Sequence, residues 1–474
     1  MLLAGLLGAP RPPSAVTRAG KVLPARRSMQ LTAAGHHSDF QGCSEPLPQA
    51  VKVVGMGSSC QDLLAQVATF PSPDAKLRTE AFEAQGGGNC GNALTAAARL
   101  GLHATIVSKI GDDGVGDGIM AEFQRDAVDT SHMLRAEGSP SPFTYIIVDR
   151  EGGTRTCIHT PGQPMTPEEL TAELAGSALQ DAALVYFDGR LTEAALVLAA
   201  AARQRGVPVL VEAERLRPGL EQLLGMADFV VSSTHFPQEW TGEERLGDAL
   251  VATFGRLPHI RWLITTLGSR GSVLLERGGD EEAAGAAVLD DLLPLLTREA
   301  GAAAAAAAIP GAPQPPPACV SANGIAIHSG GSASSERVLS LRLQRSAAEA
   351  PRVLQAALVA AETAAAANAD IGNAAGYASA GVGPSERSEA AAGLEVQARV
   401  TVVQAAVLPA GAVVDTTGAG DSFIGSIVYG EATGMPVRRA MQLASVVAAC
   451  KCTASGARQG LPHRANLAPS LLQH

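Results

Sequence analysis

The chain has 474 residues, enough for more than one domain, yet only 3% are aromatic, so its core must be built from Val, Leu, Ile, Ala and Met. A net charge of −10 and a pI near 5.5 exclude the basic footprint of a nucleic-acid groove. Phosphate binding stays open, because backbone N–H groups carry no formal charge.

From Met1 to Gly35 there is no acidic residue, while Arg11, Arg18, Lys21, Arg26 and Arg27 are basic. This pattern reads as an organelle transit peptide, chloroplast before mitochondrion, with a disordered basic tail as the alternative; the leader is set at residues 1–48. No run approaches the ~20 apolar residues that cross a bilayer, so no membrane partner is expected. The seven cysteines are scattered and odd in number, which suits a reducing compartment better than a disulfide framework. Cys450 and Cys452 form the only close pair; no second pair or histidine follows at zinc spacing, so they read as buried thiols.

In chain order, "VKVVGMG" reads as a buried strand and "LLAQVATF" as a second. "GNALTAAARLG" carries helical spacing and ends on Gly101, a C-terminal cap. "ATIVSKIG" is strand-like and "GDGIMAEFQRDAVD" helix-like, and "FTYIIVD" and "TRTCIHT" flank a hairpin turn. After them come "ALVYFDG", the helix "TEAALVLAAAARQRG", then "VPVLVEAE", "ADFVVSS" and "RWLITTLG". Short apolar strands alternating with helices predict a three-layer α/β fold with a mostly parallel sheet, and the hairpin predicts a smaller, partly exposed sheet. Residues 49–276 form the first part of this domain. Residues 277–393 are rich in Ala, Gly and Pro and read as a disordered insertion, with a regulatory or docking element as the alternative. Residues 394–466 close the domain, and 467–474 form a tail.

The stretch "VVDTTGAGDSFIGSIV" reads as a strand end, a tight turn and a helix start. Gly418 and Gly420 permit positive φ and close approach by a ligand, and Gly418, Ala419 and Gly420 present N–H groups as an anion hole. Asp421 at its edge either accepts a proton from a hydroxyl attacking phosphorus or merely caps the helix.

Asp415–Ser426 resembles the second signature of the ribokinase-like (PfkB) carbohydrate kinases, and "GGGNCGNALTAAARLG" resembles their N-terminal glycine motif. The resemblance spans Val51 to Arg277 and Leu394 to Arg464. It implies the ribokinase-like fold with a β lid, transfer from ATP with Mg²⁺ to a sugar hydroxyl, and Asp421 as the base. It also implies that Asp62, Gly87, Gly88, Asn89 and Asn92 line the sugar pocket. By the same resemblance Arg155 reaches the transferring phosphate; paired with Asp149 or Glu151, it would instead be a lid-surface arginine. Thr266, Gly268, Gly271, Gly418, Gly420 and Gly456 would contact the nucleotide, and "AACKCTASGARQG" would form part of the adenine pocket and a site for a monovalent cation such as K⁺. The family's Asn-x-x-Glu pattern is replaced by Ser233 and Phe236, with Glu239 out of register, so no metal ligand is assigned.

"FPSPDAKLR", "VYFDGR" and "VLVEAERLRPGLEQL" look most like ketohexokinases, which implies a small ketose as substrate. An adenosine kinase-like activity is the enzyme alternative. A weakly active or inactive fructokinase-like scaffold of an organelle is the alternative of another class. A homodimer through the lid is the partner that the resemblance implies.

Overall fold

The computed structural model describes residues 42–43, 45–47, 49–152, 154–278, 286–290, 317–329, 338–344 and 396–473, all within one compact unit, Ser38–His474. The leader to residue 41, and with it the transit-peptide expectation, lies outside the described residues.

The strands are β1 Lys52–Met56, β2 Cys60–Val67, β3 Ala81–Gly87, β4 His103–Gly111, β5 Asp129–Ala136, β6 Phe143–Asp149, β7 Thr154–Thr160, β8 Ala182–Phe187, β9 Val209–Ala213, β10 Phe229–Ser232, β11 Trp262–Thr266, β12 Ser272–Glu276, β13 Ala286–Val288, β14 Cys319–Val320, β15 Ala326–Ile327, β16 Val338–Gln344 and β17 Val396–Val403. The helices are α1 Asn89–Arg99, α2 Gly114–Arg125, α3 Ala172–Leu179, α4 Thr192–Gln204, α5 Leu220–Leu224, α6 Phe236–Thr241, α7 Leu246–Arg256, α8 Ala419–Thr433, α9 Val437–Lys451 and α10 Pro469–Leu472.

The main sheet runs β13-β16-β17-β12-β11-β10-β9-β8-β1-β4-β5. From β5 to β11 every pairing is parallel, and β12 and β17 are added antiparallel. Alternate residues of its central strands feed opposite cores. Val53, Ile106, Tyr186, Leu210 and Ile264 pack with α1, α8 and α9, and Val54, Val107, Val185, Val211 and Leu263 pack with α3, α4 and α7. Burial on both faces is why these strands read as continuous apolar runs.

A separate sheet, β3-β2-β6-β7, is the small sheet expected from the hairpin. Its register places Asp62, Leu64, Ile146 and Arg155 on one face and Leu63, Phe82, Tyr145 and Ile158 on the other. Leu64 and Ile146 are buried, whereas Phe82, Tyr145 and Ile158 are exposed.

Two expectations change. The span 277–393 is not uniformly unstructured: β16 pairs with β17 and extends the main sheet. The β14–β15 hairpin joins the core, with Ala468 N–H donating to Ala318 O at 2.9 Å and Cys319 Sγ 3.5 Å from Cys450 Sγ. The alanine runs of that span lie outside the described residues. In addition, "VVD" before the glycine turn is an extended loop rather than a strand end, with Val413 and Val414 exposed and Val414 N–H held by Cys452 O. All seven cysteines are free thiols, and Cys450 and Cys452 are buried.

Candidate active site

The carboxyl ends of parallel strands β1, β8, β9, β10 and β11 gather on one edge of the main sheet, the side where open α/β sheets bind ligands. Beyond β1, Gly57 N–H donates to Val107 O, and a Cβ at Gly57 would fall 2.2 Å from the Asp188 carboxyl carbon. Asp188, buried past β8, accepts from Ser58 N–H and Oγ–H, both at 2.7 Å, and from Cys90 N–H at 3.2 Å. With Arg190 N–H donating to its other oxygen at 3.0 Å, this buried carboxylate is satisfied by four donors and ties the β1 loop to the start of α1.

Helix α1 starts at Gly88, whose φ of +88° only glycine adopts without strain and whose Cβ would meet Ser58 O at 2.6 Å. This sharp entry orients Asn89 and Asn92. Asn89 Nδ2 donates to Glu212 at 3.2 Å, and Asn89 Oδ1 accepts from Arg190, which also pairs with Glu214 at 2.6 Å. Burial, then the Asp421 charge, pushes the Glu212 carboxyl well above the usual range, and the Tyr186 hydroxyl donates to it.

Asn92 Nδ2 donates to Asp421 Oδ2 at 2.8 Å, and Asn92 Oδ1 accepts from the buried Arg458 Nε at 2.8 Å. Asp421 is half-buried in the first turn of α8. Burial raises its carboxyl to about 7; the Asn92 bond and Arg190 act against this, and Glu214 and Asp188 act with it. The Gly418 N-cap is left-handed, with φ +73°. Among the described residues the N–H groups of Gly418, Gly420 and Asp421 meet no acceptor, so they remain available to an anion at a helix N-terminus. Ala419 corrects the expectation: its N–H donates to Thr416 O and is not part of such a hole. A Cβ at Gly420 or at Gly268 would meet nothing within 4 Å, so both positions leave open space beside the backbone.

Asp62 is buried on the lid with Cys60 Sγ–H donating at 3.5 Å, and burial raises its carboxyl above the usual range. Gly87 must be glycine there, since a Cβ would fall 2.3 Å from the Asp62 carboxyl carbon.

Arg155 pairs with neither Asp149 nor Glu151. Its Nη1 reaches Asp415 at 2.9 Å and Thr416 Oγ1 at 3.2 Å, from the lid to the glycine turn. Asp415 also accepts from Thr417 N–H and Gly456 N–H, and the buried Lys451 ammonium donates to Asp415 O at 2.6 Å. Its hydrogen bonds to Thr417 and the Lys451 charge outweigh burial and hold the Asp415 carboxyl below the usual range. Gly456, expected at the nucleotide, donates its N–H to Asp415 at 2.7 Å, and four donor groups in all meet the Asp415 carboxylate.

Thr266 ends β11, with its carbonyl accepting from Thr234 Oγ1–H at 2.6 Å. Gly268 and Gly271 have φ of +60° and +93°, and a Cβ at Gly271 would collide with Val403 O at 2.1 Å. Ser233 Oγ–H donates to Glu214 O and Phe236 is fully buried, so neither holds a metal. No cluster of three His, Cys, Asp or Glu suited to a metal exists among the described residues. The free N–H groups of Gly418, Gly420 and Asp421 fit a triphosphate, which would carry the Mg²⁺. Arg458, Lys451, Arg190 and Glu212 were missed from sequence. The only prior signal was their place beside motifs: Arg190 in "VYFDGR", Glu212 in "VLVEAER" and the other two in "AACKCTASGARQG".

A model of the pfkB family of carbohydrate kinases matches residues 51–288 and 388–464. Ribokinase of Staphylococcus aureus (strain COL) is 27% identical over 229 residues, covering 47% of this chain and 74% of that protein. Ketohexokinase of Mus musculus is 26% identical over 107 residues, 23% of this chain and 36% of that protein. The structure of Arabidopsis thaliana ribokinase complexed with ribose and ATP superposes with a TM-score of 0.57 at 17% identity, covering 90% of this chain and 100% of that one. The shared architecture is the ribokinase-like fold, a large mostly parallel sheet with a small separate sheet. The chain belongs to the pfkB family of carbohydrate kinases, phosphotransferases with a hydroxyl acceptor.

Proposed function

We propose that this protein transfers the γ-phosphate of ATP to a hydroxyl of a small free sugar, with Asp421 as general base. The observation that carries this reading is the setting of Asp421. It stands in the first turn of α8, beside the free N–H groups of Gly418 and Gly420 and bonded to Asn92. A carboxyl raised to about 7 is matched to proton abstraction near neutral pH.

Bound ATP with Mg²⁺ supplies the phosphoryl group and neutralises part of its charge. Asp62, Gly87, Gly88, Asn89 and Asn92 hold the sugar. Asp421 removes the proton of the attacking hydroxyl. The N–H groups of Gly418, Gly420 and Asp421 meet the charge that develops on the transferred oxygens. Thr266, Gly268 and Gly271 border the nucleotide. The lid, which carries Asp62 and Arg155 on one face, excludes water from the site.

A ketohexose-like sugar is favoured, supported by the Asp188, Arg190, Glu212 and Glu214 network built from two of the three ketohexokinase-like stretches. The names of the longer-matching relatives favour ribose instead. The basic, acid-free residues 1–35 support an organelle address, chloroplast first. The exposed Phe82, Tyr145 and Ile158 support pairing of two copies through the lid.

The test is ATP consumption against fructose, xylulose, ribose, tagatose and adenosine, with Asp421→Asn beside the unmodified protein. Turnover on one sugar that vanishes in the variant supports the reading. Turnover that survives Asp421→Asn removes the base. A folded protein that neither binds ATP nor turns over any of the five is the scaffold, and the kinase reading fails.

A further inference from the structure

Arg458 is the largest of the fully buried side chains, 1% exposed, with its guanidinium 4.6 Å from the Phe123 ring centre. Among the described residues it forms no ion pair. Its Nε donates to Asn92 Oδ1 at 2.8 Å and its Nη2 to Gly87 O at 2.9 Å, while Nη1 has no partner. Its hydrogen-bond acceptors are neutral, and the charges that balance it, Glu122 first and then Asp62 and Asp126, lie beyond ion-pair distance; a buried cation so held is costly, and an apolar residue of similar size would fill the space more cheaply. The chain also keeps room for it: a Cβ at Gly86 would fall 2.1 Å from Arg458 Nη1, and one at Gly91 2.5 Å from Nη2. Two glycines of the N-terminal motif are therefore shaped around this guanidinium.

We propose that Arg458 is a positioning residue that sets the base through Asn92, an inference resting on the reading of Asp421 given above. An asparagine amide has one accepting and one donating end, nearly equal in shape, and guanidinium can only donate. Arg458 therefore claims Oδ1 and turns Nδ2 toward Asp421. With the amide reversed, Oδ1 would face the Asp421 carboxylate and repel it. The same guanidinium fixes the Gly87 carbonyl, and Gly87 lies against Asp62. One cation thus braces both the base and the wall of the sugar pocket.

The test needs no substrate. The difference in thermal stability between the protein and its Asp421→Asn variant, followed against pH, reports the pKa of Asp421. Arg458→Met, which suits a buried site, should move that midpoint upward. In an Asn92→Ala background the same substitution should leave it unmoved, because the relay is already cut. In turnover, Arg458→Met should lose about tenfold in kcat, the scale of one hydrogen bond, with KM for ATP little changed.

An unmoved midpoint in Arg458→Met, or an equal shift with and without Asn92, overturns the proposal. If Arg458→Met does not fold, Arg458→Lys carries the same test. An ammonium lacks the planar fork that reaches Asn92 and Gly87 from two separate nitrogens, so its hold on the amide is weaker: a smaller upward shift supports the relay and none refutes it. Turnover surviving in Asp421→Asn would strike the base assignment itself, and is read separately from the midpoint.

Discussion

Asn92 and Asp421 are 329 residues apart in sequence and share a hydrogen bond of 2.8 Å. The bond joins the first turns of α1 and α8, so each glycine motif holds the functional side chain of the other. A donor aimed at a carboxylate favours its charged form and works against burial, which here remains the stronger effect and leaves Asp421 near 7.

Asp421→Asn should lower kcat by about 10²–10⁴-fold, the usual contribution of a general base. Calorimetric titration of ATP should show binding within a few-fold of the unmodified protein. In that protein kcat/KM should rise with pH through about 7, as the carboxyl loses its proton. A flat profile from pH 5 to 8 would separate the carboxyl from the chemistry.

Stability should also depend on pH, with a definite sign. Asp421 and Glu431 are both raised to about 7, in each case chiefly by burial. Between roughly pH 4 and 7 the folded chain keeps protons that the unfolded chain has released, so this stability is complete in acid and lost as pH rises through 7. Glu431→Gln retains an acceptor for Trp262 Nε1–H, which donates to it at 3.1 Å. The variant should be more stable at pH 8 by about 1–2 kcal/mol after solvent screening, and equal to the unmodified protein near pH 4. Thermal melts at the two pH values decide it.

Arg155→Ala should separate the lid from the glycine turn at little cost to folding. The pair with Asp415 is partly exposed, 38% and 15% by side chain, and such pairs contribute only about 0–1 kcal/mol. Its loss should instead raise KM for sugar and ATP several-fold and weaken the salt dependence of binding. Steady-state kinetics at low and high ionic strength measure both. A fall in melting temperature with unchanged KM would make Arg155 a structural strut.

The central strands were legible because two-sided burial writes them as apolar runs, as in "ALVYFDG" and "VPVLVEAE". β5, "DTSHMLRA", lies at the sheet edge and is only half-buried, so its polar residues hid it. β3 was obscured by the glycines that make room for Asp62 and Arg458. Asp421 and Asn92 were legible from motif, but their mutual bond was not, since it depends on how two distant helices cross. Arg458 carried no signal beyond its place in "AACKCTASGARQG". Its role comes from the Asn92 amide it faces. β16 was concealed by the alanine-rich composition on either side of it, although it pairs with β17 from Val338 to Leu343.

Gly425 sets how closely those two helices cross. A Cβ there would fall 2.2 Å from Ala93 O, a backbone atom that cannot move aside without shifting α1. Gly425→Ala gains helix propensity of about 1 kcal/mol, which the overpacking cost of about 1–3 kcal/mol should outweigh. The strain falls one residue from Asn92 and one helical turn from Asp421, so separating the helices should stretch their bond before it unfolds the chain. The variant should therefore melt at a lower temperature and lose kcat more than KM. A more stable variant with full kcat would mean that the helices can part without disturbing Asn92 and Asp421.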